Sequence, residues 1–114
     1  MTPGKYNAKK VSKDGYTFDS ISEYKRYAQL YIMQKAGAIS DLKVHPVFVL
    51  QDAFKDDMTG ETHRAITYEG DYSYTENGKS VVEDVKGVET DVFKIKWKMF
   101  RKQYPGLDAR KVKV

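Results

Sequence analysis

The chain contains no cysteine. Disulfides, thiolate zinc centres and cysteine nucleophiles are therefore excluded, and nothing speaks against a reducing compartment. Histidine is nearly as scarce. His45 and His63 lack the spacing of a metal-binding pair, which predicts ordinary strand and loop roles for both. Long apolar runs are missing as well: no stretch approaches the roughly 18 residues of a membrane span. The start "MTPGKYNAKKVSK" has no apolar centre of the kind a signal peptide needs. These absences predict a cytoplasmic protein with no membrane partner, built without internal repeats or low-complexity segments.

What is present suffices for one domain. A chain of 114 residues supports a single modest core, and 40% apolar with 32% charged residues is the balance of a folded globular protein rather than a disordered one. The net charge of +4 is mild but unevenly spread. Residues 1–13 carry four lysines and no acid, residues 94–114 carry eight basic residues against Asp108, and residues 14–93 hold eight basic against fifteen acidic. Two basic ends around an acidic middle fit a polyanion approaching a site that gathers carboxylates. They fit a protein with solvated basic tails equally well.

Helical periodicity predicts a first helix over Ser20–Ala36, with Ile21, Tyr24, Tyr27, Ala28 and Tyr31 recurring on one face and Gly37 at the stop. Its start reads as a capping box, Ser20-x-x-Glu23. The stretch Leu42–Leu50, "LKVHPVFVL", reads as a strand, with Pro46 either counting against that assignment or implying an edge position. A polar, flexible connection around Gly60 follows. Ile66–Thr75 alternates with Ile66, Tyr68, Gly70, Tyr72 and Tyr74 on one face, and Thr67, Glu69, Asp71 and Ser73 on the other. A second helix is expected over Val92–Tyr104, capped by Thr90 or Asp91 and stopped by Pro105-Gly106. Its apolar stripe is Phe93, Trp97, Phe100 and Tyr104, with Lys94, Lys98, Arg101 and Lys102 off that stripe. A short final strand, "ARKVKV", completes an order of helix, three strands, helix, strand.

Asn77-Gly78 is the strongest short signal for a two-residue hairpin. It pairs Glu76 with Lys79, and the same register sets Tyr72 opposite Glu83, Asp71 opposite Asp84 and Glu69 opposite Lys86. Opposed β-carbons lie about 4.5–5.5 Å apart, where like charges are unfavourable unless compensated. A divalent cation compensates them, since Mg²⁺ takes one or two carboxylates and keeps exchangeable waters. Lys86 shares the face of Asp84 and would stand beside that ion, able to orient an attacking water or stabilise developing phosphate charge. The plain alternative is a solvated face with a Glu69–Lys86 ion pair.

Asp71, followed on the next strand by Asp84-Val85-Lys86 and preceded by a helix bearing Glu23, resembles the PD-(D/E)XK nuclease superfamily. "KYNAKK", "SISEYKRYAQL" and "VVEDVKG" before a basic helix are similar to its small phage-encoded endonucleases, some of them Holliday-junction-resolvase-like. The resemblance spans about Lys5 to Tyr104. It implies an α/β fold, more closely an α+β mixed sheet with a restriction-endonuclease-like α-β-β-β-α-β core. One domain then covers residues 1–114, with a flexible basic arm to about residue 15.

The implied activity is Mg²⁺-dependent DNA hydrolysis, Mn²⁺ substituting, with 5′-phosphate and 3′-hydroxyl products. Asp71, Asp84 and Glu23 would hold the metal, and Lys86 would assist the nucleophile. Gly70 stands where the motif's name has proline. Glu23 is claimed both by the capping box and by the metal, and Gln51 either lines the site or ends its strand. Lys94, Lys98 and Arg101 are the candidates for DNA contact, joined by Lys9 and Lys10 on the arm. A branched substrate would imply a symmetric homodimer, and phage replication or recombination proteins are the partners in view. The rival readings are a non-catalytic nucleic-acid-binding module on the same fold and a structural phage protein.

Overall fold

The computed structural model describes residues 10–114. The fold is α+β. Its elements are β1 (Val11–Lys13), β2 (Tyr16–Phe18), α1 (Ile21–Lys35), β3 (Ser40–Val44), β4 (Val47–Gln51), β5 (Phe54–Lys55), β6 (Thr62–His63), β7 (Ile66–Glu69), β8 (Tyr72–Glu76), β9 (Lys79–Val85), α2 (Asp91–Gln103) and β10 (Asp108–Val112). The main sheet is mixed, in the order β10-β9-β8-β3, with β10 parallel to β9 and the other pairs antiparallel. Helix α2 is the crossover between the two parallel strands. Among the described residues no helix is long and apolar enough to cross a membrane.

Local chemistry accounts for the helix ends. Ser20 Oγ accepts the Glu23 N–H at 3.0 Å, and Thr90 Oγ1 accepts the Phe93 N–H at 3.1 Å, so each helix satisfies one orphan amide at its start. After α1, Gly37 adopts a φ of 82°, a left-handed residue that glycine takes without a Cβ clash. The α1 face that packs is shifted from the predicted one: Glu23, Tyr27 and Leu30 are buried, whereas Ile21 and Tyr31 are exposed.

The hairpin register is as expected from Asn77-Gly78. Glu76 pairs with Lys79, Tyr74 with Val81 and Tyr72 with Glu83, and both turn residues have the positive φ, 51° and 77°, that a type I′ turn requires. Beyond Tyr72 the expected continuous strand breaks. Ile66–Thr75 is two strands, β7 and β8, and Leu42–Leu50 is likewise β3 and β4. The two breaks face each other: the His45 N–H donates to the Asp71 carbonyl and the Gly70 N–H to the Pro46 carbonyl, each at 2.9 Å. Glu69 therefore pairs with Val47, and the Glu69–Lys86 pairing does not form.

This shared bend divides the core. On one side of the sheet Phe18, Tyr27, Leu30, Ile39, Tyr72, Tyr74 and Val81 pack under α1. On the other, Leu50, Tyr68, Val82 and Phe100 pack with the predicted α2 stripe of Phe93, Trp97 and Tyr104. Tyr68 thus lies across the sheet from Tyr72, although simple alternation puts them together. Gly70 sits in the bend where a side chain would be crowded. A Cβ there would lie 3.2 Å from Val82 Cγ1 and 3.5 Å from Pro46 Cγ. Gly70→Ala is expected to cost about 1 kcal/mol by overpacking, read as a lower urea midpoint at unchanged slope.

Two expected flexible stretches carry structure. Residues 11–18 form the β1–β2 hairpin within and just past the predicted arm, and residues 54–63 contain the β5–β6 hairpin, where Phe54 stacks on His63. The rest of the arm, with Lys9, lies outside the described residues.

Candidate metal-binding active site

The site forms at one end of the main sheet. Strands β3 and β9 finish there, β8 begins there, and α1 and α2 both start there. Two helix N-termini bring partial positive charge to this end, which favours carboxylates. Glu23, Asp71, Asp84 and Lys86 all line one open cavity of about 370 Å³, together with Asp19, Tyr68 and Lys96. The four residues expected to act together are therefore brought together, from α1, the β7–β8 bend and the end of β9.

Each is held by identifiable contacts. The Asp71 N–H continues the ladder by donating to the Glu83 carbonyl at 3.0 Å. Its Oδ2 accepts the Val85 N–H at 2.6 Å, so a side chain replaces the backbone acceptor where the strand departs. Asp84 is buried, 4% exposed, because pleating turns it with Val82 toward α2. The Tyr68 hydroxyl donates to its Oδ2, and Lys86 Nζ lies 2.9 Å from its Oδ1. The ammonium also rests 3.7 Å from the centre of the Phe93 ring, a cation–π contact that fixes the lysine without a second acid. Glu23 is anchored through its backbone, whose carbonyl accepts the Tyr72 hydroxyl at 2.7 Å. Its carboxylate is turned to His45, with Nε2 3.5 Å from Oε1.

The crowding of acids appears as displaced acidities. Burial, then the charges of Asp84 and Glu23, push the Asp71 carboxyl up to about 8 from 3.8, against a lowering from the Val85 N–H. Burial, then Asp19, also raises Glu23, with His45 partly offsetting them. Burial and the hydrogen bond to Asp84 hold the Tyr68 hydroxyl protonated, far above its usual range. A cation among these carboxylates would favour their charged forms and so oppose the upward shifts. The donor set fits such an ion.

Three sites differ from expectation. Gln51 is exposed at the end of β4 and lines a separate concavity with Gln103 and Tyr104, because β4 has left the main sheet at the bend. His45, assigned an ordinary role, brings an imidazole to the site: ligand atoms of Glu23, His45 and Asp71 all lie within 4.8 Å of one another. Lys96 is half-buried at the cavity, whereas Lys94, Lys98 and Arg101 are exposed along α2. Arg101 sits near the helix's other end, where its Nη1 donates to the Leu107 carbonyl at 3.1 Å. Lys10 is exposed ahead of β1. The available sequence signals were His45-Pro46, which marks a bend, and Gly70 facing it; Tyr68 and Lys96 had none.

An α+β domain that gathers three carboxylates, an imidazole and an ammonium at one sheet end belongs to the class of candidate metal-binding domains. The chain belongs to the family described as "Protein of unknown function (DUF1064)", which it matches over residues 3–113. No curated protein and no solved structure matches it.

Proposed function

We propose that the protein is a divalent-metal-dependent DNA endonuclease of the PD-(D/E)XK type, acting on phosphodiester bonds. The observation that carries this reading is the convergence of Glu23, Asp71, Asp84 and Lys86 on one open cavity. The mixed sheet flanked by two helices, with α1 before it and α2 crossing between β9 and β10, supports a restriction-endonuclease-like core. Asp71, Asp84 and Glu23 would hold Mg²⁺, or Mn²⁺ in its place. Such an ion supplies Lewis-acid polarisation of the phosphate and acidifies water.

The chain's own groups do the rest. Lys86, held over Phe93 and paired with Asp84, offers N–H donors to orient a water and to stabilise charge developing on the phosphate oxygens. Tyr68 fixes the Asp84 carboxylate by donating to one oxygen. In-line attack forms the new P–O bond as the P–O3′ bond breaks, leaving a 5′-phosphate and a 3′-hydroxyl. Lys94 and Lys98, exposed on α2, and Lys10, exposed ahead of β1, would meet the DNA backbone and give salt-dependent affinity. The setting that fits is the cytoplasm of a phage-infected host, among replication or recombination proteins. A preference for four-way junctions would go with a two-fold dimer.

The test is cleavage of linear, flapped and four-way DNA with Mg²⁺ or Mn²⁺, comparing wild type with Asp84→Ala. The expected result is cutting by the wild type and a loss of about 10³-fold or more in the variant, the scale of losing a positioned electrostatic group. Equal rates would sink the assigned site. DNA binding without cutting would favour the non-catalytic module.

A further inference from the structure

We propose that His45 is a direct ligand of the bound cation, and that its imidazole makes the site prefer a transition ion such as Mn²⁺ over Mg²⁺. This rests on the metal-centre reading above and deepens it. A second set of donors meets at the edge of the aspartate pair. It is Glu23, His45 and Asp71, whose ligand atoms lie within 4.8 Å of one another, close enough to surround one ion at ligand distances of about 2.0–2.6 Å. Asp84 is engaged instead by Tyr68 and Lys86.

The backbone places His45 there deliberately. It is a non-glycine residue with a φ of 58°, a left-handed conformation that histidine, asparagine and aspartate adopt more readily than other side chains. The contacts that hold it are the His45 N–H to the Asp71 carbonyl and the reciprocal Gly70 N–H to the Pro46 carbonyl. The same hydrogen bond that bends β3 into β4 thus ties His45 to the residue whose carboxylate it accompanies. Asparagine would satisfy the left-handed bend equally well; an imidazole beside two carboxylates adds a nitrogen donor. Mg²⁺ favours all-oxygen shells, whereas nitrogen donors favour first-row transition ions.

The experiment is pulsed electron paramagnetic resonance of Mn²⁺ bound to the full chain without DNA, on wild type, His45→Asn and His63→Asn. Asparagine is chosen because it tolerates positive φ, and circular dichroism confirms that each variant is folded. The expected result is nitrogen-14 modulation in wild type and in His63→Asn, absent from His45→Asn. With it should come about tenfold weaker Mn²⁺ binding in His45→Asn, while Mg²⁺ affinity, read by competition, changes less. Mn²⁺ bound to wild type with no nitrogen modulation overturns the proposal, as does modulation that survives in His45→Asn. Nitrogen modulation in a protein that cuts no DNA would leave His45 a ligand and overturn only the nuclease reading. No Mn²⁺ binding at all would remove both the metal centre and this inference.

Discussion

Asp71→Asn is expected to abolish metal-dependent DNA cleavage and, at the same time, to stabilise the metal-free protein at alkaline pH. The raised pKa of Asp71, about 8 in the fold against 3.8 ordinarily, means that the folded state binds a proton the unfolded state releases. Stability from that proton is fully present below about pH 4 and is lost as pH rises through about 8. Above that, the metal-free fold must hold a charged Asp71 next to Asp84 and Glu23. Asparagine keeps an oxygen for the Val85 N–H and carries no charge. In EDTA, Tm for the variant should fall less from pH 5 to pH 9 than Tm for wild type, ending roughly 5 °C or more higher at pH 9. Adding Mn²⁺ should raise the wild type's Tm and leave the variant's nearly unchanged. A pH-independent difference in Tm would show that Asp71 does not carry the strain.

This trade-off is what an active centre built from like charges implies: the side chains that hold a cation destabilise the fold in its absence. The sequence made the pair visible because Asn77-Gly78 dictates register as far as Tyr72 opposite Glu83; the expected Asp71–Asp84 pairing lies one step beyond the ladder, and Asp71 reaches the site from the bend. Ser20 and Gly37 similarly marked the ends of α1. Hidden from the sequence was the bend. Alternation is local, but the breaks at His45-Pro46 and Gly70-Asp71 are stabilised by each other across the ladder. Neither alone specifies the geometry. That one feature moved Tyr68 to the α2 face, took Gln51 away from the site and delivered His45 to it.

A second feature was equally invisible because its partners lie far apart in the chain. Glu83 is fully buried, and Arg26 grips it with Nε 2.7 Å from Oε1 and Nη2 2.6 Å from Oε2. The Tyr74 hydroxyl donates to the same carboxylate. Pleating sets Glu83 on the face of β9 opposite Asp84, toward α1, but periodicity gives no hint of what neutralises it there.

Arg26→Ala is therefore expected to destabilise the protein by about 3–5 kcal/mol, the cost of leaving a buried carboxylate without its cation. The double variant Arg26→Met with Glu83→Gln should recover most of this, because glutamine is neutral and still accepts from Tyr74 while methionine fills the space of the arginine stem. Urea denaturation of Arg26→Met, Glu83→Gln and their double variant gives the coupling; additive losses would mean that the ion pair is incidental. The pair also bears on the site. Arg26 lies one turn from Glu23 on α1, and Glu83 immediately precedes Asp84 and accepts the Asp71 N–H through its carbonyl. The clamp thus sets how far Glu23 stands from Asp71. The double variant, though folded, should bind Mn²⁺ more weakly than wild type, since a bidentate charged clamp becomes a looser apolar contact. Unchanged Mn²⁺ affinity in that variant would show that sheet and helix hold the metal residues in place without it.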